Sequence, residues 1–214
     1  MRAEDILARM GNDIMTLIAV SRNLSSDYQM LLNILSQQLK AEGKGVEEKE
    51  PMQLRDRMIA VVRTRDGKIK LDENGQPMIR DTGWSPNGIT NAGFAEVAGL
   101  LLTDVGGTAF DYIAIGTGTT AFSPTQTALV SEVKRKAAAG SRVTTSVSND
   151  TAQLQTTFSS ADGLSGTHAI TESGVFNAAT AGTMLCRQTF SALNIDWDAG
   201  DTLQVTWKIQ IKQG

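Results

Sequence analysis

One cysteine and one histidine leave this chain little of the usual side-chain chemistry. Cys186 has no second thiol for an intrachain disulfide. With His168 as the only imidazole, no Cys/His zinc cluster can form. Aromatic residues make up 5% of the chain, too few for an extended sugar-stacking groove. No run approaches the roughly 18 apolar residues that would span a bilayer. The first residues, MRAEDILARMG, carry two acids where a secretory leader would be basic, so no leader is expected. A net charge of −3 argues against general affinity for nucleic acid. These absences together predict a soluble protein made in a reducing compartment, with no cofactor, no metal and no membrane or nucleic-acid partner.

What is present divides unevenly. Residues 1–80 hold 13 of the 20 Lys and Arg and 12 of the 23 Asp and Glu, so the remaining 134 residues are much less charged. The 20 glycines, with abundant Ser and Thr in the second half, match an all-β domain rich in turns. The organisation predicted is an N-terminal heptad segment with linker (1–50), a small β-hairpin region (51–88) and a β-sandwich with one packed helix (89–214).

The N-terminal segment shows apolar residues at alternating steps of three and four: Leu7, Met10, Ile14, Leu17, Leu24, Tyr28, Leu31 and Leu35, with Ser21 in the same phase. This is heptad spacing. From Ala3 to Ala41 it predicts one unbroken helix of about 58 Å at 1.5 Å per residue. The eight large residues are the expected oligomerisation seam. The fold class expected is therefore mainly β with a long N-terminal α-helix: an antiparallel β-sandwich head on a helical, coiled-coil stem.

After the charged stretch EGKGVEEKE, Pro51–Met58 reads as a short helix and Ile59–Arg63 as a strand. Asp66-Gly67 and Asn74-Gly75 are hairpin-turn signals. Ile89–Thr103 predicts a helix capped by Thr90 or Asn91, with Phe94, Val97, Leu100 and Leu101 as its apolar face. Strands are expected at 110–116, 142–148, 151–159, 167–177 (bulged at Gly174) and 183–192. The run 128–139 fits helix or strand. The strongest pattern is the last strand, where Leu203, Val205, Trp207, Ile209 and Ile211 alternate with polar residues, giving one buried face and one wet one.

No catalytic constellation emerges. His168, near Gly166, reads as a loop histidine, and no G-x-S-x-G elbow is present. Cys186, in phase with Met184 and Phe190, reads as a small buried hydrophobe. Gly116-Thr117-Gly118-Thr119-Thr120 lacks the Gly-Lys-Ser/Thr of a phosphate loop and reads as a flexible junction. Asp111, Glu132, Asp162, Glu172, Asp196, Asp198 and Asp201 are scattered acids; Glu172 stands out by interrupting an apolar strand, as an outward-facing or bulge residue. Lys134-Arg135-Lys136 is a solvated patch or a face for an acidic partner.

Four passages carry a resemblance. ITNAGFAEVAGLL with FDYIAIGTGTTAFSPTQTAL, and TESGVFNAATAGTMLCRQTFSALNID with GDTLQVTWKIQIK, resemble a β-module of tailed-bacteriophage virion proteins over roughly residues 81–212. DTGWSPNGITNAG is similar to the segment that opens that module. The resemblance implies a virion structural protein, found among tail-fibre, head-fibre, neck and decoration proteins, with no catalytic residues to carry over. The expectation is a non-enzymatic virion protein: a homotrimeric short fibre or adaptor at the head, neck or tail, made in the host bacterial cytoplasm. Its partners would be copies of itself and portal, neck, capsid or tail proteins. The alternatives are a receptor- or glycan-binding tail module that meets the host surface, or a capsid decoration protein.

Overall fold

Alternating side chains dominate the second part of the chain, and they fold as antiparallel strands. The computed structural model describes residues 52–86 and 88–213. In chain order they form β1 (Gln53–Arg63), β2 (Ile79–Asp81), α1 (Asn91–Gly99), β3 (Tyr112–Gly116), β4 (Glu132–Ala137), β5 (Ala139–Val143), β6 (Thr151–Phe158), β7 (Thr167–Phe176), β8 (Met184–Asp196) and β9 (Thr202–Lys212). One sheet has the order β2-β1-β9-β6-β5 and the other β4-β3-β7-β8. Both are antiparallel, and their inner faces share one core. Met58, Val62, Val205 and Trp207 from the first sheet meet Ile113, Ile115, Val175 and Leu193 from the second.

This architecture corrects the expected fold class. The described chain is two antiparallel sheets with one short α-helix, and no long helix or coiled coil is found among the described residues. Heptad spacing states which side chains a helix would bury. Such a helix is stable only against a partner, so spacing alone does not establish one. Leu7, Met10, Ile14, Leu17, Leu24, Tyr28, Leu31 and Leu35 lie outside the described residues.

Residues 51–88 and 89–214 share a sheet, because β1 runs beside β9 along its whole length, from Gln53 opposite Lys212 to Arg63 opposite Thr202. Where a short helix was expected over Pro51–Met58, Gln53–Met58 is thus the first half of a strand. Its alternation of Asp56, Met58, Ala60 and Val62 into the core decides the matter over local propensity. The Asp66-Gly67 and Asn74-Gly75 turns form as expected, with φ of +82° and +75° at the two glycines.

The last strand keeps its predicted phase from Leu203 to Ile209 but not its ends. Ile211 is exposed, whereas Gln210, on the supposedly wet face, is fully buried. Arg55 Nε donates to Gln210 Oε1 at 2.6 Å, and Gln210 Nε2 donates to Asp150 Oδ2 at 2.6 Å and Ser146 Oγ at 3.1 Å. The loop holding Asp150 lies where a strand was expected. Its carboxylate accepts the N–H groups of Thr145, Ser146 and Val147, which ends β5 at Val143. Desolvation pushes the Asp150 carboxyl up, but these donors and Gln210 more than offset it and hold it well below the usual range.

α1 is shorter than the predicted helix and packs differently. Thr90 caps it, its Oγ1 accepting from Gly93 N at 2.8 Å. Of the expected apolar face only Val97 packs on the core; Phe94, Leu100 and Leu101 are exposed. The helix instead docks through its glycines. A Cβ at Gly93 would lie 2.5 Å from the Leu185 carbonyl oxygen, so bare backbone is what allows α1 to lie on β8.

The outer edge of β8 is covered along most of its length. Segment 88–90 pairs with it through Arg187 N to Gly88 O and Thr90 N to Leu185 O, both 2.9 Å. Farther along, Arg80 donates to the carbonyls of Ser191 and Ala192, and Lys70 to that of Asn194. Cationic side chains thus occupy acceptors that a free edge would offer to another strand.

Candidate functional site

Glu172 is the residue around which one end of the sandwich is built. The register of β7 against β8 shifts here: Ile170 faces Leu193, but Glu172 faces Thr189. From Ile170 to Phe176 every residue is buried, since this central strand is covered on both sides. One side is the main core. The other is covered by the loop from Thr117 to Ser131, whose Leu129 packs with Ala114, Phe176 and Met184.

The Glu172 carboxylate holds that loop. It accepts from Ser131 N at 2.7 Å, Gly118 N at 3.0 Å and Val130 N at 3.1 Å, and from Arg187 Nε at 2.7 Å. Arg187, equally buried, extends the hold by donating to the Thr120 carbonyl at 2.9 Å and to Gln126 Oε1 at 3.2 Å. Thr171 Oγ1 donates to Gly118 O at 3.0 Å. Burial alone would raise the Glu172 carboxyl, yet the Ser131 N–H, Arg187 and the Val130 N–H together hold it below its ordinary value. Glu172 is therefore not outward-facing, and the Gly-Thr-Gly-Thr-Thr stretch is a clamped segment. Gly118 is required there: a Cβ would sit 2.5 Å from Glu172 Oε1 and 2.6 Å from Val130 Cβ.

The neighbouring loop is fixed from the other side. Ser85 and Asp56 exchange backbone hydrogen bonds of 2.8 Å each. The Asp56 carboxylate, fully buried, accepts from Gln188 Nε2 at 2.8 Å and from the Gly88 N–H. Its Oδ1 has no hydrogen-bond partner among the described residues. Burial raises this carboxyl to about 6, against the smaller lowering effect of those donors. Asn91 N donates to Pro124 O at 2.8 Å and joins the two loops. Between them lies a cavity of about 350 Å3 lined by Pro86, Ile89, Asn91, Phe94, Phe122 and Pro124. Four rings, one aliphatic side chain and one amide make a largely apolar hollow with a single polar handle.

Several of the other residues singled out in the sequence are occupied structurally. Arg135 stacks 3.5 Å over the Phe176 ring centroid and donates to Glu132 and to the carbonyls of Ala178 and Ala181. Lys136 pairs with Asp162 at 2.7 Å and donates to Thr157 O. Two of the three cations in the Lys134–Lys136 run are thus engaged within the domain. Asp201 pairs with Lys70 and accepts from Asp196 N. His168 lies in β7, not in a loop, and its Nδ1 accepts from Trp197 Nε1 at 2.9 Å. That bond fixes the imidazole as an acceptor toward the core. Cys186 is fully buried, and burial, reinforced by the Asp56 charge, pushes its thiol well above the ordinary value.

Asp56, Arg187 and Gln188 were not singled out from the sequence. A carboxylate in phase with Met58, Ala60 and Val62 was the one available signal for Asp56. Comparison with protein-family models, with curated proteins and with solved structures finds no match for this chain.

Proposed function

We propose that this chain is a non-enzymatic virion structural protein of a tailed bacteriophage: a homotrimeric short fibre or adaptor attached at the head, neck or tail. The observation that carries the reading is the Glu172–Arg187 pair. These two fully buried charges hold the 117–131 loop in fixed shape, with their polar atoms spent on its backbone, on Gln126 and on each other. Such a site supports recognition by a preformed surface. The sequence resemblance over residues 81–212 supplies the virion context. Leu7, Met10, Ile14, Leu17, Leu24, Tyr28, Leu31 and Leu35 are proposed as the determinants of self-association, at roughly 1.5–3 kcal/mol for each large side chain buried. Light scattering on the full chain tests this part of the reading. A mass near three chains is expected, falling on replacement of Leu17 and Leu24 by Asp; a monomeric wild type contradicts it.

A second reading is favoured by one specific observation, the cavity with Phe94 and Phe122 at its wall and Asn91 beside them. In this reading the same end of the sandwich binds a host-surface glycan or receptor. Binding on a glycan array that is lost in Phe122→Ala would support it over the purely structural role.

A further inference from the structure

We propose that Asp56 is an acid-sensitive latch that sets how firmly Ser85 is held against β1 and Gly88–Thr90 against β8, and with it the wall of the Pro86–Phe122 cavity. The geometry carries this. The carboxylate touches the segment's backbone directly: a Cβ at Gly88 would lie 2.6 Å from Asp56 Oδ1 and 2.5 Å from Gln188 Nε2. Oδ2 accepts from Gln188, and the carboxyl is also bonded by the Gly88 N–H and its own backbone N–H, while Oδ1 is buried without a geometrically sound hydrogen bond among the described residues. The segment contributes Pro86 and Ile89 to the cavity, so whatever loosens it changes the cavity's shape.

Among the described residues, no cation faces the carboxylate from the elements around it. On β1, Arg55 and Arg57 alternate to the opposite face, where they meet Gln210 and Asp81. On β8, Arg187 is bound to Glu172, and the buried Cys186 thiol feels the Asp56 charge. On β9 the residue opposite Asp56 is Ile209. Gln188 also lines a hollow of about 330 Å3 with Arg80, Asp81 and Thr82; Arg80 there is bound to the Ser191 and Ala192 carbonyls, and Asp81 to Arg57.

A neutral acid fits this site, and a charged one lacks enough donors. Because burial lifts the group to about 6, it changes charge within the range met inside and outside cells. Below that point the latch is closed. Above it, the charge draws water to Oδ1, and the route for water is separation of Gly88–Thr90 from β8.

Hydrogen exchange at the Ser85, Gly88 and Thr90 amides of the full chain, corrected for intrinsic rates, tests the proposal. Between pH 5 and pH 7.5 protection should fall by about tenfold or more in the wild type. It should stay constant in Asp56→Asn and at amides of β7. Constant protection in the wild type, or the same fall in Asp56→Asn, overturns it. Should Asp56→Asn fail to fold, NMR titration of the wild-type Asp56 carboxyl carbon decides: a midpoint near 6 is expected, and one near 4 overturns the proposal.

Discussion

Arg187 Nε lies 2.7 Å from Glu172 Oε2, with both side chains fully excluded from solvent. Desolvating two charges is expensive, and the cost is offset here because the pair's remaining donors and acceptors are shared among Gly118, Thr120, Gln126, Val130 and Ser131. Removing one partner leaves the other charge buried and uncompensated. Arg187→Met should therefore destabilise the domain by about 3–5 kcal/mol, read from urea unfolding. The loss should exceed that of Arg57→Met, which breaks a surface pair with Asp81.

Glu172 and Asp56 have opposite consequences with pH. Glu172 is held below its ordinary 4.5, so its contribution is present above that value and is lost as acid protonates it in the folded state. Asp56 is raised from 3.8 to about 6, so its stabilising form is fully present below 3.8 and fades as pH rises through 6. Asp56→Asn should be more stable than wild type at pH 8, by about 2–3 kcal/mol at 1.36 kcal/mol per unit. The advantage should vanish toward pH 4. Thermal unfolding across that range checks both sign and size.

Gly118→Ala tests whether the loop clamp depends on close approach. The added methyl meets Glu172 and the Val130 Cβ at distances no ordinary contact reaches, so one of them must shift. A loss of about 1–3 kcal/mol is expected. Gly140→Ala, where nothing lies within 4 Å of the added carbon, serves as the control and should be nearly neutral.

Arg80→Ser removes the guanidinium from the Ser191 and Ala192 carbonyls and uncovers part of the β8 edge. Stability should change little, but association in concentrated solution should rise, as seen by sedimentation velocity. Unchanged association would assign Arg80 no protective role.

Much of the sandwich was legible in the sequence because one-sided burial imposes a period of two. The Leu203–Ile209 phase and strand β6 followed from that pattern, but the partner strand expected over 142–148 did not, since β5 ends at Val143 and pairs with β6 from Ala139 onward. The helix cap at Thr90 followed from local chemistry. The pattern failed where both sides of a strand are covered. Gln210 is buried under the Asp150 loop, and Glu172 under the 117–131 loop, and neither covering loop has a periodic signature. The exposed Phe94 and Leu101 misled for a related reason, since α1 docks through Gly93, which no apolar count records. For the candidate site, Glu172 was visible as an anomaly, but its partner Arg187 is fifteen residues away and became visible only once β7 and β8 were paired.

The proposal that this chain is a structural part of a virion is tested most directly by quantitative mass spectrometry of gradient-purified particles from cells in which the gene is expressed from its native genome. The account predicts peptides of this chain in the particle fraction at a fixed copy number, a multiple of three, relative to the portal protein. Recovery of the chain only from the lysate, with none in purified particles, would contradict it.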